Sequence, residues 1–205
     1  MGEPIIFGKY VVQSLLGKGK SGISYLVKDD NQLCIVKAMH SESVPYYTFK
    51  KPKLELELDA YNELIKHNIR IPKLLSFDRH SNYLVKEYIE GKTIAELLAE
   101  GQHIEKYIYD ALQWEKNLRK HNINIDYFPS NFIVGGNKLY YVDYEINPYS
   151  QEWDYTNWGI YYWLNGKGFR QFLETNDSNY INQKGTGIPI KNEEMDKLKE
   201  RYIED

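Results

Sequence analysis

Near the start of the chain, β-branched and aromatic residues recur in short apolar runs between polar turn signals. "YVVQSLL", "GISYLV" and "QLCIVKAM" are three such runs, joined by a glycine-rich stretch and by "KDDNQ". They predict three consecutive strands of a twisted antiparallel sheet. From about Leu54 to His67 the pattern changes. Leu54, Leu58, Tyr61, Leu64 and Ile65 recur at helical spacing, Glu55, Glu57 and Glu63 supply charge, and Pro72 lies beyond the end. "KLLSFD" and "YLVKEYI", separated by "RHSN", predict a hairpin that completes a sheet of five strands. Glu90-Gly91 breaks the pattern, and "TIAELLAE" starts a helix with Thr93 as its cap and Glu96 three residues on. A longer helix is predicted from about Glu105 to Lys120, with Ile108, Leu112, Trp114 and Leu118 as its apolar mass. "NFIVGGNKLYYVDYE" reads as two short strands joined by Gly135-Gly136-Asn137. One helix is expected through "WDYTNWGIYYWLNGKG", then a polar stretch, then a charged helix near "NEEMDKLKERYI".

At 205 residues, one compact unit with two lobes fits better than two large cores. The boundaries expected are 8–88 for the first lobe and 89–205 for the second, with Glu87 to Gly91 as the connector. Lys+Arg number 26 and Asp+Glu 29, for a formal charge of -3. Local lysines such as Lys50, Lys51 and Lys53 do not amount to a nucleic-acid surface. Cys34, the single cysteine, excludes an internal disulfide and suits a reducing compartment. No apolar run approaches the roughly 20 residues of a membrane span, so a cytoplasmic protein is expected. Gly2 invites a myristoylation reading, but Ile6 stands where that signal takes Ser or Thr. The 19 tyrosines and 4 tryptophans fall largely in apolar runs beside Asn or Asp, where a ring fills the core and its polar tip finds a partner.

Several residues point to chemistry. Gly17, Gly19 and Gly22, between two predicted strands, let backbone approach phosphate oxygens, although surface turns are also glycine-rich. The strand–helix context of a dinucleotide fingerprint and the spacing of a phosphate loop are both missing. Lys37 interrupts the apolar Ile35-Val36-Lys37-Ala38-Met39, and a buried ammonium needs an anion. Glu57 on the following helix is the expected partner; an edge-strand lysine facing solvent is the alternative. Asp126 and Asn131 lie between a helix and a strand, where capped surface turns are also common. The hairpin, however, brings Asn131 toward Asp143, as shared magnesium coordination requires. Asp126 can then orient a hydroxyl and accept its proton.

Taken in order, these residues resemble the protein-kinase-like superfamily over roughly residues 8 to 165. The resemblance implies an α+β fold with a five-stranded antiparallel first lobe, one main helix, and a reduced, mainly helical second lobe. It implies ATP and Mg2+ as ligands. Gly17, Lys18, Gly19 and Gly22 would cover the phosphates, Ser24 and Ile35 would face adenine, and ATP would lie beside residues 87–91, including Glu87 and Tyr88. Lys37, Glu57 and Asp126 become catalytic, and Asn131 and Asp143 hold magnesium. Departures are also present. Asn124-Ile125-Asp126 replaces His-Arg-Asp, Phe128 replaces a common lysine, and Asp143-Tyr144-Glu145 replaces Asp-Phe-Gly. Ten residues separate Asp143 from Asp154, too few for a full activation segment. Asp154 resembles the aspartate that braces the catalytic loop. The sequence is similar to small bacterial serine/threonine kinase-like proteins, and its compact second lobe to aminoglycoside- and lipopolysaccharide-type kinases. The expected function is ATP-dependent transfer to a hydroxyl, with a protein Ser/Thr ahead of a small molecule. A nucleotide-binding scaffold without turnover is the competing class.

Overall fold

The computed structural model describes residues 4–40 and 51–204. Gly2 and Lys50 lie outside the described residues. Contacts divide the chain into two compact units, one within residues 1–64 and 71–89, the other within 65–70 and 90–205.

The first unit is a sheet with one helix. Its strands are β1 (Ile5–Ile6), β2 (Tyr10–Lys18), β3 (Gly22–Asp29), β4 (Gln32–Met39), β5 (Leu74–Asp78) and β6 (Tyr83–Glu87). The helix, α1, spans Lys53–Lys66. The sheet runs β1-β2-β3-β4-β6-β5 and is antiparallel at every described pairing. The prediction of five strands is thus short by β1, whose two residues are too few to show a periodic pattern. In α1, Leu54, Leu58 and Leu64 are buried together with Glu57. Asn68, in the left-handed region at φ 57°, follows the helix, as residues past a helix end often do. The opposite sheet face is a separate core of Tyr10, Val27, Cys34, Val36 and Val85, against which Tyr25 and Tyr83 pack. Each such fully buried aliphatic side chain contributes about 1.5–3 kcal/mol.

The second unit is mostly helical. It contains β7 (Lys92–Thr93), α2 (Ile94–Ala99), α3 (Glu105–Arg119), β8 (Ile123–Asn124), β9 (Phe132–Gly135), β10 (Lys138–Tyr141), β11 (Asn147–Pro148), α4 (Ile160–Trp163), α5 (Gly166–Thr175) and α6 (Glu193–Glu204). Thr93 caps α2 in a complete capping box with Glu96. Gly136 and Asn137, both at positive φ, form the two-residue turn of the β9–β10 hairpin, with Gly135 paired to Lys138. Two small pairings, β7 with β9 and β8 with β11, lie outside the predicted elements because β7, β8 and β11 have only two residues each. The single helix expected through residues 153–168 is instead broken. A 3-10 turn at Gln151–Trp153 leads to a π-helical turn at Tyr155–Gly159 and then α4. Asn165 ends that run by capping α5, its side chain accepting from Gly168 N.

An aromatic cluster forms the core of this unit. Phe132 lies 5.1 Å from Trp163 and 5.2 Å from Tyr141, centroid to centroid, and Tyr155 meets Trp163 edge-on at 5.3 Å. Residues 65–70 join the same unit because Asn117 Nδ2 donates to His67 O and Tyr141 N donates to Arg70 O. Sheet-plus-helix followed by a mostly helical region resembles the division of a kinase-like fold. Among the described residues, no helix is long and apolar enough to cross a membrane.

Candidate functional site

In the first unit, Lys37 Nζ forms an ion pair with Glu57 Oε1, and the two side chains are only 8% and 5% exposed. The neighbouring strands explain the location. Residues directly opposed in an antiparallel ladder share a face. Ser24 opposes Lys37, while Leu26 and Lys86 both oppose Ile35. Ser24, Ile35 and Lys37 therefore line one face, on which α1 supplies Glu57. Lys86, also buried, belongs to that face and went unnoticed in the sequence. Its position was readable only once the β4–β6 register was known.

The glycine run ends β2 and opens β3. Gly17 opposes Ser24 and Lys18 opposes Ile23, so both belong to the ladder, while Gly19 to Gly22 make the tight turn closed by Gly19 N donating to Gly22 O at 2.9 Å. The glycines differ in role. A Cβ on Gly22 would lie 2.5 Å from Ala38 O, so close packing against β4 requires this glycine. At Gly17 and Gly19 a Cβ would meet nothing within 4 Å. Ser21 Oγ donates to Glu57 Oε1 at 3.0 Å. The two residues are far apart in the chain, so no local signal in the sequence marks that contact.

Glu87 is turned toward its neighbouring strand. Its Oε2 accepts from Lys73 N at 3.1 Å and its own N donates to Lys73 O at 2.8 Å. Tyr88 follows it, half-buried.

In the second unit, the β9–β10 hairpin brings together the two positions expected at its outer ends. Phe132 pairs with Tyr141, and Val142 N donates to Asn131 O at 2.9 Å, which sets Asp143 beside Asn131 along the chain's return. Asn131 Nδ2 donates to Asp126 O at 3.3 Å. That bond turns the amide oxygen, a hard donor of the kind magnesium accepts, to the other side of the group. Asp126 Oδ1 accepts from Phe128 N at 3.0 Å, an Asx turn that fixes the loop around it. Among the described residues no group of three or more His, Cys, Asp or Glu is arranged to hold a metal ion. One amide and one carboxylate still fit magnesium, which typically takes one or two carboxylates and completes its shell with water and phosphate.

Tyr141 joins these residues although nothing local in the sequence sets it apart from the other tyrosines. Its buried hydroxyl accepts from Asp126 N at 3.4 Å and donates to Glu145 O at 3.2 Å, joining the loop before the hairpin to the segment after it. Burial first, then the charges of Asp143, Asp126 and Glu145, hold its phenol well above the usual tyrosine range. It therefore stays a neutral donor among carboxylates. Trp163 Nε1 donates to Tyr127 O at 2.9 Å, and a Cβ on Gly159 would lie 2.5 Å from Tyr127 Cβ, so the helix beneath packs directly against the loop. Asp154, fully buried, accepts from Tyr149 Oη, Asn157 N and Asn157 Nδ2. Asn124 Nδ2 donates to Trp153 O at 2.8 Å, tying the segment before Asp126 to the turn before Asp154.

Comparison with known proteins fits this picture at a coarse level. The chain is similar to serine/threonine-protein kinase D of Synechocystis sp. (strain ATCC 27184 / PCC 6803 / Kazusa), with 30% identity over 116 residues. The match covers 52% of this chain and 23% of that protein. No family model matches the chain. Together with the sheet–helix architecture, the similarity supports a broad link to the protein-kinase-like superfamily.

Proposed function

We propose that this protein transfers the γ-phosphoryl group of ATP to a hydroxyl acceptor, with a protein Ser or Thr as the first candidate. In this reading Lys37, oriented by Glu57, contacts the nucleotide phosphates, while the turn containing Gly17, Lys18, Gly19 and Gly22 covers them. Ser24 and Ile35 face the base, beside Glu87 and Tyr88. Asn131 and Asp143 would hold magnesium, whose charge neutralises phosphate oxygens. Asp126 accepts the proton of the acceptor hydroxyl as its oxygen bonds to the γ-phosphorus and the bond to ADP breaks. The observation that supports the reading most is the hairpin that sets Asn131 and Asp143 at adjacent strand ends, with Asp126 bonded into the same loop.

Incubation with γ-labelled ATP, magnesium and a cell extract tests it. Labelled protein is expected, and Asp126→Ala should lower labelling by about 100- to 10,000-fold while Mg-ATP binding persists. Binding without turnover in the unaltered protein would leave a scaffold. A small-molecule acceptor is the second reading, favoured by the ten-residue interval between Asp143 and Asp154, which leaves little chain for docking a peptide. Label found on metabolites alone would select it.

A further inference from the structure

The glycine turn is tethered at three consecutive residues. His40 Nε2 hydrogen-bonds Gly19 O at 2.9 Å, Lys53 Nζ donates to Lys20 O at 3.0 Å, and Ser21 Oγ donates to Glu57 Oε1 at 3.0 Å. Lys53 also donates to His40 O at 2.7 Å, with its Nζ 3.3 Å from His40 Nδ1. A carbonyl only accepts, so His40 Nε2 carries the ring proton, and Nδ1 takes its hydrogen bond from the ammonium. Two of the three tethers come from α1. Lys53 and Glu57 are four residues apart and therefore share one helix face. The oxygen of Glu57 that receives Ser21 is the one paired with Lys37.

A turn built on glycine is conformationally loose, and its loss of freedom on ordering is large. Here that freedom is removed by contacts to one helix face and to a histidine on the adjoining strand end. Any shift of α1 that moves Glu57 away from Lys37 also withdraws the acceptor of Ser21 and the donor to Lys20. We propose that Ser21 and Lys53 are positioning residues that fasten the glycine turn to the Lys37–Glu57 pair, so that the turn is ordered for phosphate covering by its own side-chain contacts to α1. The inference rests on the nucleotide reading above and names two residues that position its phosphate turn. Ser21 acts through Glu57, and Lys53 through the turn backbone.

The test measures the KM for ATP, kcat, and amide hydrogen exchange of residues 19–22 and 53–58 in the full chain. Ser21→Ala should raise KM about tenfold, the worth of one hydrogen bond to a charged group, with kcat changed less than about twofold. Ser21→Thr keeps the hydroxyl and should restore KM to within about twofold. Lys53→Met keeps the aliphatic stem and should speed exchange at residues 19–22 about tenfold, as should Ser21→Ala. Unchanged KM in Ser21→Ala, or failure of threonine to rescue it, overturns the proposal. Should the unaltered protein bind no Mg-ATP, the nucleotide reading falls, and exchange alone judges the joint. Faster exchange in the turn of both variants then supports the fastening, and unchanged exchange overturns it.

Discussion

The two units hold their charged residues in opposite ways. In the first, Lys37 and Glu57 are buried between a strand and a helix, each compensating the other in a poorly solvated place. In the second, Asp126, Asn131 and Asp143 are half-buried on segments flanking a hairpin, and buried aromatic rings beneath them provide rigidity. Phe132, Tyr141, Tyr155 and Trp163 form that base, and ring donors such as Tyr141 Oη and Trp163 Nε1 reach up to loop backbone. A charge buried in regular structure is part of what stabilises its unit. A charge on a braced loop can be changed at small structural cost, which leaves it available for chemistry.

The largest expected effect separates these two arrangements. Lys37→Ala leaves Glu57 buried without its countercharge and should lower unfolding stability by about 3–5 kcal/mol. Asp126→Ala removes a half-buried loop carboxylate with its Asx-turn bond to Phe128 N, and should lower it by only about 1 kcal/mol. Chemical denaturation of both variants measures the difference, and equal losses would break the comparison. Tyr141→Phe sharpens it. The ring stays to fill the core, so stability should fall by only about 1–2 kcal/mol for the lost hydrogen bonds. Phosphoryl transfer should fall further than stability implies, since Asp126 and Glu145 lose their common anchor. A variant with unchanged turnover would remove Tyr141 from the site.

The smallest effect probes the layer below the loop. Glu115 is buried on α3, and burial first, then the nearby Asp154 charge, raises its carboxyl above the ordinary 4.5. Arg119 and Lys116 on the same helix, and a hydrogen bond from Thr156, act in the opposite direction. A raised folded-state value means that the folded protein holds this proton more tightly than the unfolded chain does. Stability from this group is therefore complete below 4.5 and is lost as pH rises through the folded value. Glu115→Gln should leave the melting temperature nearly unchanged at low pH and raise it by about 1–4 °C above that window. A variant less stable than the parent at every pH would show that the carboxylate itself is needed.

Much of this organisation was legible in the chain. The runs around Tyr10, Gly22 and Gln32 could bury an apolar face only as strands, and Thr93 with Glu96 marks a helix start by chemistry alone. The hairpin turn was readable because Gly136 and Asn137 tolerate positive φ. An ammonium inside the apolar run Ile35 to Met39 demanded an acid, and Glu57 lay on the next helix. These are local signals, fixed by period, propensity and the cost of burying charge.

What local signals leave undetermined is how distant segments meet. That Ser21 shares the oxygen paired with Lys37, that Lys86 lies opposite Ile35, and that Tyr141 links Asp126 to Glu145 all depend on strand register and on helices arriving from elsewhere. The broken helix after Asp154 follows the same logic: Gly159 packs on Tyr127 and Asn165 caps a new helix, so tertiary packing overrides a pattern that alone reads as continuous. Amino-acid order specified which groups this protein has and the elements that bear them. Only packing settled which of those groups touch, because a contact energy exists only once two segments far apart in the chain have been brought within hydrogen-bond reach.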